Sequence, residues 1–176
     1  MADRIVLSEP DILRALTRIA HEIIESNSGP NDLVILGIPT RGVFLSERLC
    51  QILASIEPDA NFAPGIIDIT MYRDDLGQGS RPLGQSQIPV TGLDDKTVIL
   101  VDDVLFSGRT VRAALDAIRE YGRPKQVKLA VLVDRGHREL PIRPDFVGKN
   151  LPTALTEHVA VSLSEIDSID QVVISE

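Results

Sequence analysis

The chain has 176 residues, with 18 Lys and Arg against 26 Asp and Glu, for a formal net charge of −8. That length argues for one compact domain with a sizeable core, and 43% hydrophobic with 25% charged residues excludes a disordered chain. A pI near 4.9 argues against a diffusely basic nucleic-acid binder and leaves room only for a local basic patch.

The start, Met1-Ala2-Asp3-Arg4, does not read as a signal peptide, and no apolar run approaches the ~18 residues that span a membrane, so the expectation is a cytoplasmic protein. Ser8 with Asp11 three residues later reads as a helix N-cap, and a helical period follows. Leu13, Leu16, Ala20, Ile23 and Ile24 are expected on its buried face, with Arg14, Thr17, Arg18, His21 and Glu25 opposite. Asn27-Ser28-Gly29-Pro30-Asn31 ends that helix.

Leu33 to Ile38 is a continuous apolar run, the pattern of a strand buried on both faces of a parallel sheet. Pro39-Thr40-Arg41-Gly42 breaks it, and Val43 to Ile56 returns to a helical period, in which Cys50 reads as a buried structural thiol. Ile66 to Met71 is expected to be a second strand. The stretch from Gly77 to Thr91, rich in Gly, Ser, Gln and Pro, reads as a mobile functional loop. Lys96 to Val101 and Val127 to Val133 are further buried strands, separated by a helix over Thr110–Tyr121. Asp134 to Pro152 is polar and Pro-punctuated, and short strands are expected at Val159–Val161 and Val172–Ile174. Alternating strands and helices give an α/β fold, a mostly parallel sheet flanked by helices.

The segment that carries chemistry runs from Val98 to Thr110. Four apolar residues bury a strand, Asp102 and Asp103 stand at its C-terminal end, and Ser107-Gly108-Arg109-Thr110 opens a helix. Strand C-termini line the ligand crevice of an open α/β sheet, and helix-start N–H groups with hydroxyls suit a phosphate. Two carboxylates beside that turn match vicinal ribose hydroxyls, so the pattern implies a sugar phosphate. A Walker loop is ruled out by the lack of GxxxxGK[ST]. A receiver-type phospho-acceptor pair leaves the phosphate turn unexplained, and mere strand-end carboxylates do not account for turn and helix at this spacing. The three histidines show no metal-ligand spacing.

The same segment resembles the phosphoribosyl-pyrophosphate (PRPP) signature of type I phosphoribosyltransferases. Gly37 to Gly42 resembles that family's pyrophosphate loop, and Asp68 to Leu76 the approach to its catalytic flexible loop. Asp134 to Arg143 and Val147 to Asn150 resemble the hood of members that join uracil phosphoribosyltransferase activity to mRNA-binding attenuation of pyrimidine genes. The resemblance implies one domain over residues 1–176, with the mobile loop at about 73–91 and a hood from about 134–176 plus the N-terminal segment. It places pyrophosphate at Thr40 and Arg41, the ribose hydroxyls at Asp102 and Asp103, and the 5′-phosphate along Val104, Leu105, Phe106, Ser107, Gly108, Arg109 and Thr110. Asp102, Asp103, Arg41 and Arg73 are the implied catalytic residues. Uracil is implied at Val133, Asp134 and Arg135, with Mg²⁺ carried by PRPP and possible ligands in Asp102 and Asp103. Thr17, Arg18, His21, Arg138 and Arg143 are the implied contacts to leader mRNA, although Glu25 to Gly29 lacks the basic residues of relatives. UMP, UTP and a homodimer or higher homo-oligomer complete the implied partners. Five acids and no Lys or Arg lie between residues 150 and 176, so most of the acidity belongs to the tail rather than to these basic stripes.

Overall fold

A computed structural model describes residues 3–74 and 84–176. The part of the expected loop at 75–83, including Asp75 and Leu76, lies outside the described residues.

The chain runs β1 (Arg4–Ser8), α1 (Glu9–Ser26), β2 (Leu33–Gly37), α2 (Arg41–Ile56), β3 (Pro64–Ile66), a 3₁₀ turn (Thr70–Tyr72), β4 (Thr97–Leu105), α3 (Arg109–Ile118), β5 (Gln126–Asp134), β6 (Phe146–Asn150), β7 (His158–Ser162), α4 (Ser164–Asp167) and β8 (Gln171–Ser175). Five strands form one parallel sheet in the order β3-β2-β4-β5-β6, and β1-β8-β7 form a small antiparallel sheet. The α/β reading with a parallel sheet is therefore correct.

Alternation along the central strands sorts the core into two layers. Ile35, Ile99, Val101, Ala130 and Leu132 face α1, α2 and the small sheet, whereas Val34, Leu36, Val98, Leu100, Leu129 and Val131 face α3 and the Ile67–Ile69 segment. Cys50 is buried on the first side, and burial pushes its thiol up to about 12.

The Ser8 N–H donates to the Asp11 carboxylate at 2.9 Å, as the capping pattern requires. The buried face of α1 is rotated from the expected one. Ile12, Ala15, Leu16, Ile19, Ala20 and Ile23 are buried, while Leu13 is 59% exposed. The run from Ile66 to Met71 is not a strand beyond Ile66. Ile67 N–H still reaches the Gly37 carbonyl at 3.1 Å, but Asp68 then accepts from Thr70 N–H at 2.8 Å and turns the chain into the 3₁₀ turn. In the polar, Pro-punctuated Asp134–Pro152 stretch, for which the sequence predicts no strand, Phe146–Asn150 adds the edge strand β6, pairing Ala130 with Phe146 and Asp134 with Asn150. The third helix ends at Ile118, three residues before the expected Tyr121.

Two arginines of α2 bind the small sheet to the large one. The Arg48 guanidinium meets Glu165 at 2.7 and 2.5 Å and Asp170 at 2.8 Å through two nitrogens. Arg41 Nη2 lies 3.0 and 3.1 Å from the two oxygens of Asp167.

Candidate active site

Strand β4 extends past its apolar run and carries both acids within the strand. Asp102 is buried and Asp103 half-buried, side by side near the end of that strand. At the end of β4 the chain turns at Gly108, whose φ of +92° is the left-handed region that favours glycine, and α3 begins. A Cβ there would also stand 3.3 Å from Ile142.

A cavity of about 300 Å³ opens at this end of the sheet, lined by Arg73, Asp74, Asp102 and every residue from Val104 to Val111. The Ser107 hydroxyl accepts from Arg109 N–H at 3.3 Å, so the turn is closed by its own side chain. Asp102 is 7% exposed, and its carboxyl is held well above the usual carboxylate range. Burial is the main cause and the neighbouring Asp103 charge the second, while Asp103 N–H (2.9 Å) and the Arg73 cation pull the other way.

The hood segment is sewn to this turn. Ser107 O accepts from the N–H groups of Glu139 and Leu140 at 3.0 and 3.1 Å, and Leu105 O accepts from Arg135 N–H at 3.1 Å. Arg138 donates to Phe106 O at 3.1 Å, to Ile142 O at 2.7 Å and to Asp134 at 2.6 Å. Burial opposes the Asp134 charge, yet Arg138 and Gly136 N–H hold its carboxyl below the usual range. Arg109 lies between Glu139 (2.7 Å) and Asp74 (3.1 Å), both of which favour its charged form.

The pyrophosphate-type loop stands at the end of the adjacent strand β2. Pro39–Thr40 is a cis peptide, and α2 starts at Arg41, two residues earlier than the apolar period indicated. Glycines let the first turn of α2 rest on the sheet: a Cβ on Gly37 would lie 2.6 Å from Gly42 O, and one on Gly42 2.4 Å from Val101 O. Thr40 is exposed, whereas the Arg41 side chain turns to Asp167 and is not among the cavity lining. The Leu163 N–H first, and Arg41 with it, keep Asp167 below the usual carboxylate range despite some burial.

The structure thus brings Arg73, Asp102 and Val104 to Thr110 onto one cavity, with Asp103 adjacent in the strand. Val133 and Asp134 end the neighbouring strand β5 and Arg135 follows it, with Leu105 in register with Asp134. On α1, Thr17 donates to Leu13 O at 2.8 Å, His21 is exposed, and Arg18 donates to Val147 O and Gly148 O of β6 at 2.8 and 2.6 Å. Lys149 and Arg143 are exposed, while Arg138 is occupied by Asp134 and the two carbonyls. Asp74 and Glu139, the partners of Arg109, and Asp167, the partner of Arg41, were not singled out in the sequence. Asp74 and Glu139 lie inside segments that resemble the family, but nothing near Asp167 marks it as a partner of Arg41. Among the described residues no group of three or more His, Cys, Asp or Glu is gathered as a metal cage, and no helix is long and apolar enough to cross a membrane.

Residues 4–165 match the family described as a phosphoribosyl transferase domain. The bifunctional protein PyrR of Streptomyces coelicolor is 60% identical over 172 residues, covering 97% of this chain and 89% of the relative. That of Brevibacillus brevis is 59% identical over 170 residues, covering 94% and 93%. Among solved structures, a hypoxanthine phosphoribosyltransferase of Trypanosoma cruzi superposes with a TM-score of 0.72 at 17% identity over 97% of this chain and 95% of that one. Staphylococcus aureus hypoxanthine phosphoribosyltransferase gives 0.69 at 19% identity, covering 96% and 90%. Likeness at that identity extends to the fold alone.

Proposed function

We propose a specific reaction for this chain, which belongs to the phosphoribosyl transferase family and within it to the bifunctional PyrR proteins. It transfers the phosphoribosyl group of PRPP to uracil, giving UMP and pyrophosphate, and it binds pyrimidine-operon leader mRNA in a UMP-dependent way. The observation that carries the reading is the union, on one cavity, of Asp102, the 106–110 turn and Arg73.

In this reading the turn from Phe106 to Thr110 wraps the 5′-phosphate with backbone N–H groups and the Ser107 and Thr110 hydroxyls. Asp102 and Asp103 accept from the ribose hydroxyls. As the C1–O bond stretches, positive charge grows on the ribose, and the two carboxylates favour that state. Thr40 and the N–H groups that open α2 serve the departing pyrophosphate, and Arg73 adds a cation to the cavity lining. Val133, Asp134 and Arg135 border the base. Arg135 N–H and the Asp134 and Arg135 carbonyls already have partners in Leu105, Leu151 and Thr153, which leaves each carbonyl one further lone pair for a uracil N–H.

Mg²⁺ suits this donor set. Among the described residues no third His, Cys, Asp or Glu joins these two adjacent carboxylates, which matches an ion that keeps its waters and takes further ligands from a substrate's phosphates. Asp102 and Asp103 would hold it, and bound with PRPP it neutralises the pyrophosphate as a leaving group.

For RNA, the exposed face of α1 continues through Arg18 onto β6 beside Lys149, so Thr17, Arg18, His21 and Arg143 remain the contacts of choice. UMP and UTP are the expected nucleotide partners, and the chain is expected to self-associate as a homodimer or higher homo-oligomer. Purified protein with Mg²⁺, PRPP and uracil should form UMP, and Asp103→Asn should abolish it without unfolding the chain. Absence of UMP would refute the enzyme. Binding to leader RNA no tighter than to unrelated RNA, across a salt series with and without UMP, would refute the regulator.

A further inference from the structure

Arg135 is anomalous for a charged residue. It is 6% exposed, and no carboxylate among the described residues forms an ion pair with it, because Asp134 beside it is taken by Arg138. Its Nη2 makes one bond, to Ala154 O at 3.2 Å, and its Nε is buried without a partner. A buried cation left this short of partners is costly, so something else at the site must favour its charge. The contact on offer is the Phe106 ring, whose centroid lies 4.2 Å from the guanidinium carbon. Phe106 is 40% exposed and forms part of the cavity wall, and His137 meets it edge-on at 6.4 Å.

A cation against one face of an aromatic ring draws π density toward itself and leaves the other parts of the ring less negative. We propose that Arg135 acts through Phe106 to make this wall of the cavity receptive to an anionic heterocycle, so that uracil is held as its N1-deprotonated anion. The proposal rests on the phosphoribosyltransferase reading and specifies the form of its acceptor. Uracil gives its N1 proton to water, the N1 electron pair forms the bond to C1, and the C1–O pair leaves with pyrophosphate. Arg135 is here a positioning residue, and Phe106 the group that touches the base. The other charged groups around the wall are the Asp134–Arg138 pair, His137, Asp102, Arg73, Asp74 and the Arg109–Glu139 pair. All of these remain in an Arg135 variant, so its effect is read as a difference from the wild type.

The test compares uracil with 5-fluorouracil, whose fluorine makes N1–H more acidic, in wild type, Arg135→Gln, Arg135→Lys and Phe106→Leu. Losing the cation should lower kcat for uracil about thirtyfold, the scale of a desolvated cation–π contact. In kcat, which reads ionisation of the bound base, the analogue should lose less, so the fluorouracil-to-uracil kcat ratio rises several-fold and the alkaline rise of kcat for uracil moves to higher pH. Arg135→Lys should keep the wild-type ratio, and Phe106→Leu should raise it as Arg135→Gln does, which preserves the test if the glutamine variant fails to fold. Equal losses for both bases with an unmoved pH profile would overturn the proposal, as would an unchanged ratio in Phe106→Leu. Failure of wild type to make UMP at all would instead overturn the parent reading.

Discussion

Replacing Asp102 by asparagine removes one charge from a carboxyl that is 7% exposed, lies beside Asp103 and is favoured in its charged form by the Arg73 cation. Asparagine has nearly the same shape, and its oxygen keeps the acceptor used by Asp103 N–H. The native Asp102 carboxyl titrates above its unfolded value, so the folded state holds the proton more tightly than the unfolded chain. Its contribution to stability is complete below the unfolded value of about 3.9 and is lost as pH rises through the native one. Asparagine does not titrate there. The variant should therefore gain on the wild type as pH rises, by about 1–3 kcal/mol at the alkaline end, the usual cost of a poorly compensated buried polar group. For a chain of this size each kcal/mol moves Tm by about 2–4 °C. Thermal unfolding from pH 4 to 9 in EDTA, without nucleotide, reads the gap directly, and the same preparations should make no UMP with Mg²⁺ restored. A gap that stays flat with pH, or a wild type that gains on the variant, would refute the reasoning. A more stable and inactive protein would mean that the site stores electrostatic strain for its ligand.

Arg48→Ala strands Glu165 and Asp170, both partly buried, and should cost about 2–3 kcal/mol in urea unfolding at pH 7, between the values for exposed and fully buried pairs. Arg48 holds both carboxyls below their usual range, so the pairing contributes above about pH 4 and fades as pH falls through the depressed native values. Variant and wild type should converge in stability as pH falls through those depressed values, and a constant difference would refute the ion-pair account. Gly42→Ala puts a Cβ 2.4 Å from Val101 O, a backbone atom that cannot step aside, so the start of α2 must shift. A displacement of about 1 Å at a reacting site costs about a hundredfold in rate, and kcat/KM for PRPP should fall on that scale.

Local rules made part of this molecule legible. The Ser8–Asp11 cap, the run from Val98 to Val101 and the small-residue turn after Asp103 each act within a few residues, and the structure places all three as the chain order indicates. Less local features were hidden. Leu13 and Ile12 are equally apolar, and only the packing of α1 against α2 and the sheet decides which is buried. Strand β6 contains a single Phe-Val pair and exists because β5 offers it an unpaired edge. The partners of Arg41 and Arg48 lie more than a hundred residues away, so neither arginine's neighbourhood announces them. Arg135 follows the same logic: its sequence neighbour Asp134 suggests a pair, but that carboxylate goes to Arg138.

The small sheet joins the first strand to the last, Arg4 registering with Ile174 and β8 lying between β1 and β7. Contacts of such separation form late, because the loop between them must first be closed. During synthesis the phosphate turn and the parallel sheet around it can assemble while β1 still waits for β8, and while Arg41 and Arg48 wait for Asp167, Glu165 and Asp170. A chain stalled before residue 165 carries the whole phosphate motif and none of these counter-charges. Translation thus completes the clasp on α2 last, and a chain cut short before residue 165 leaves Arg41 and Arg48 without these acids.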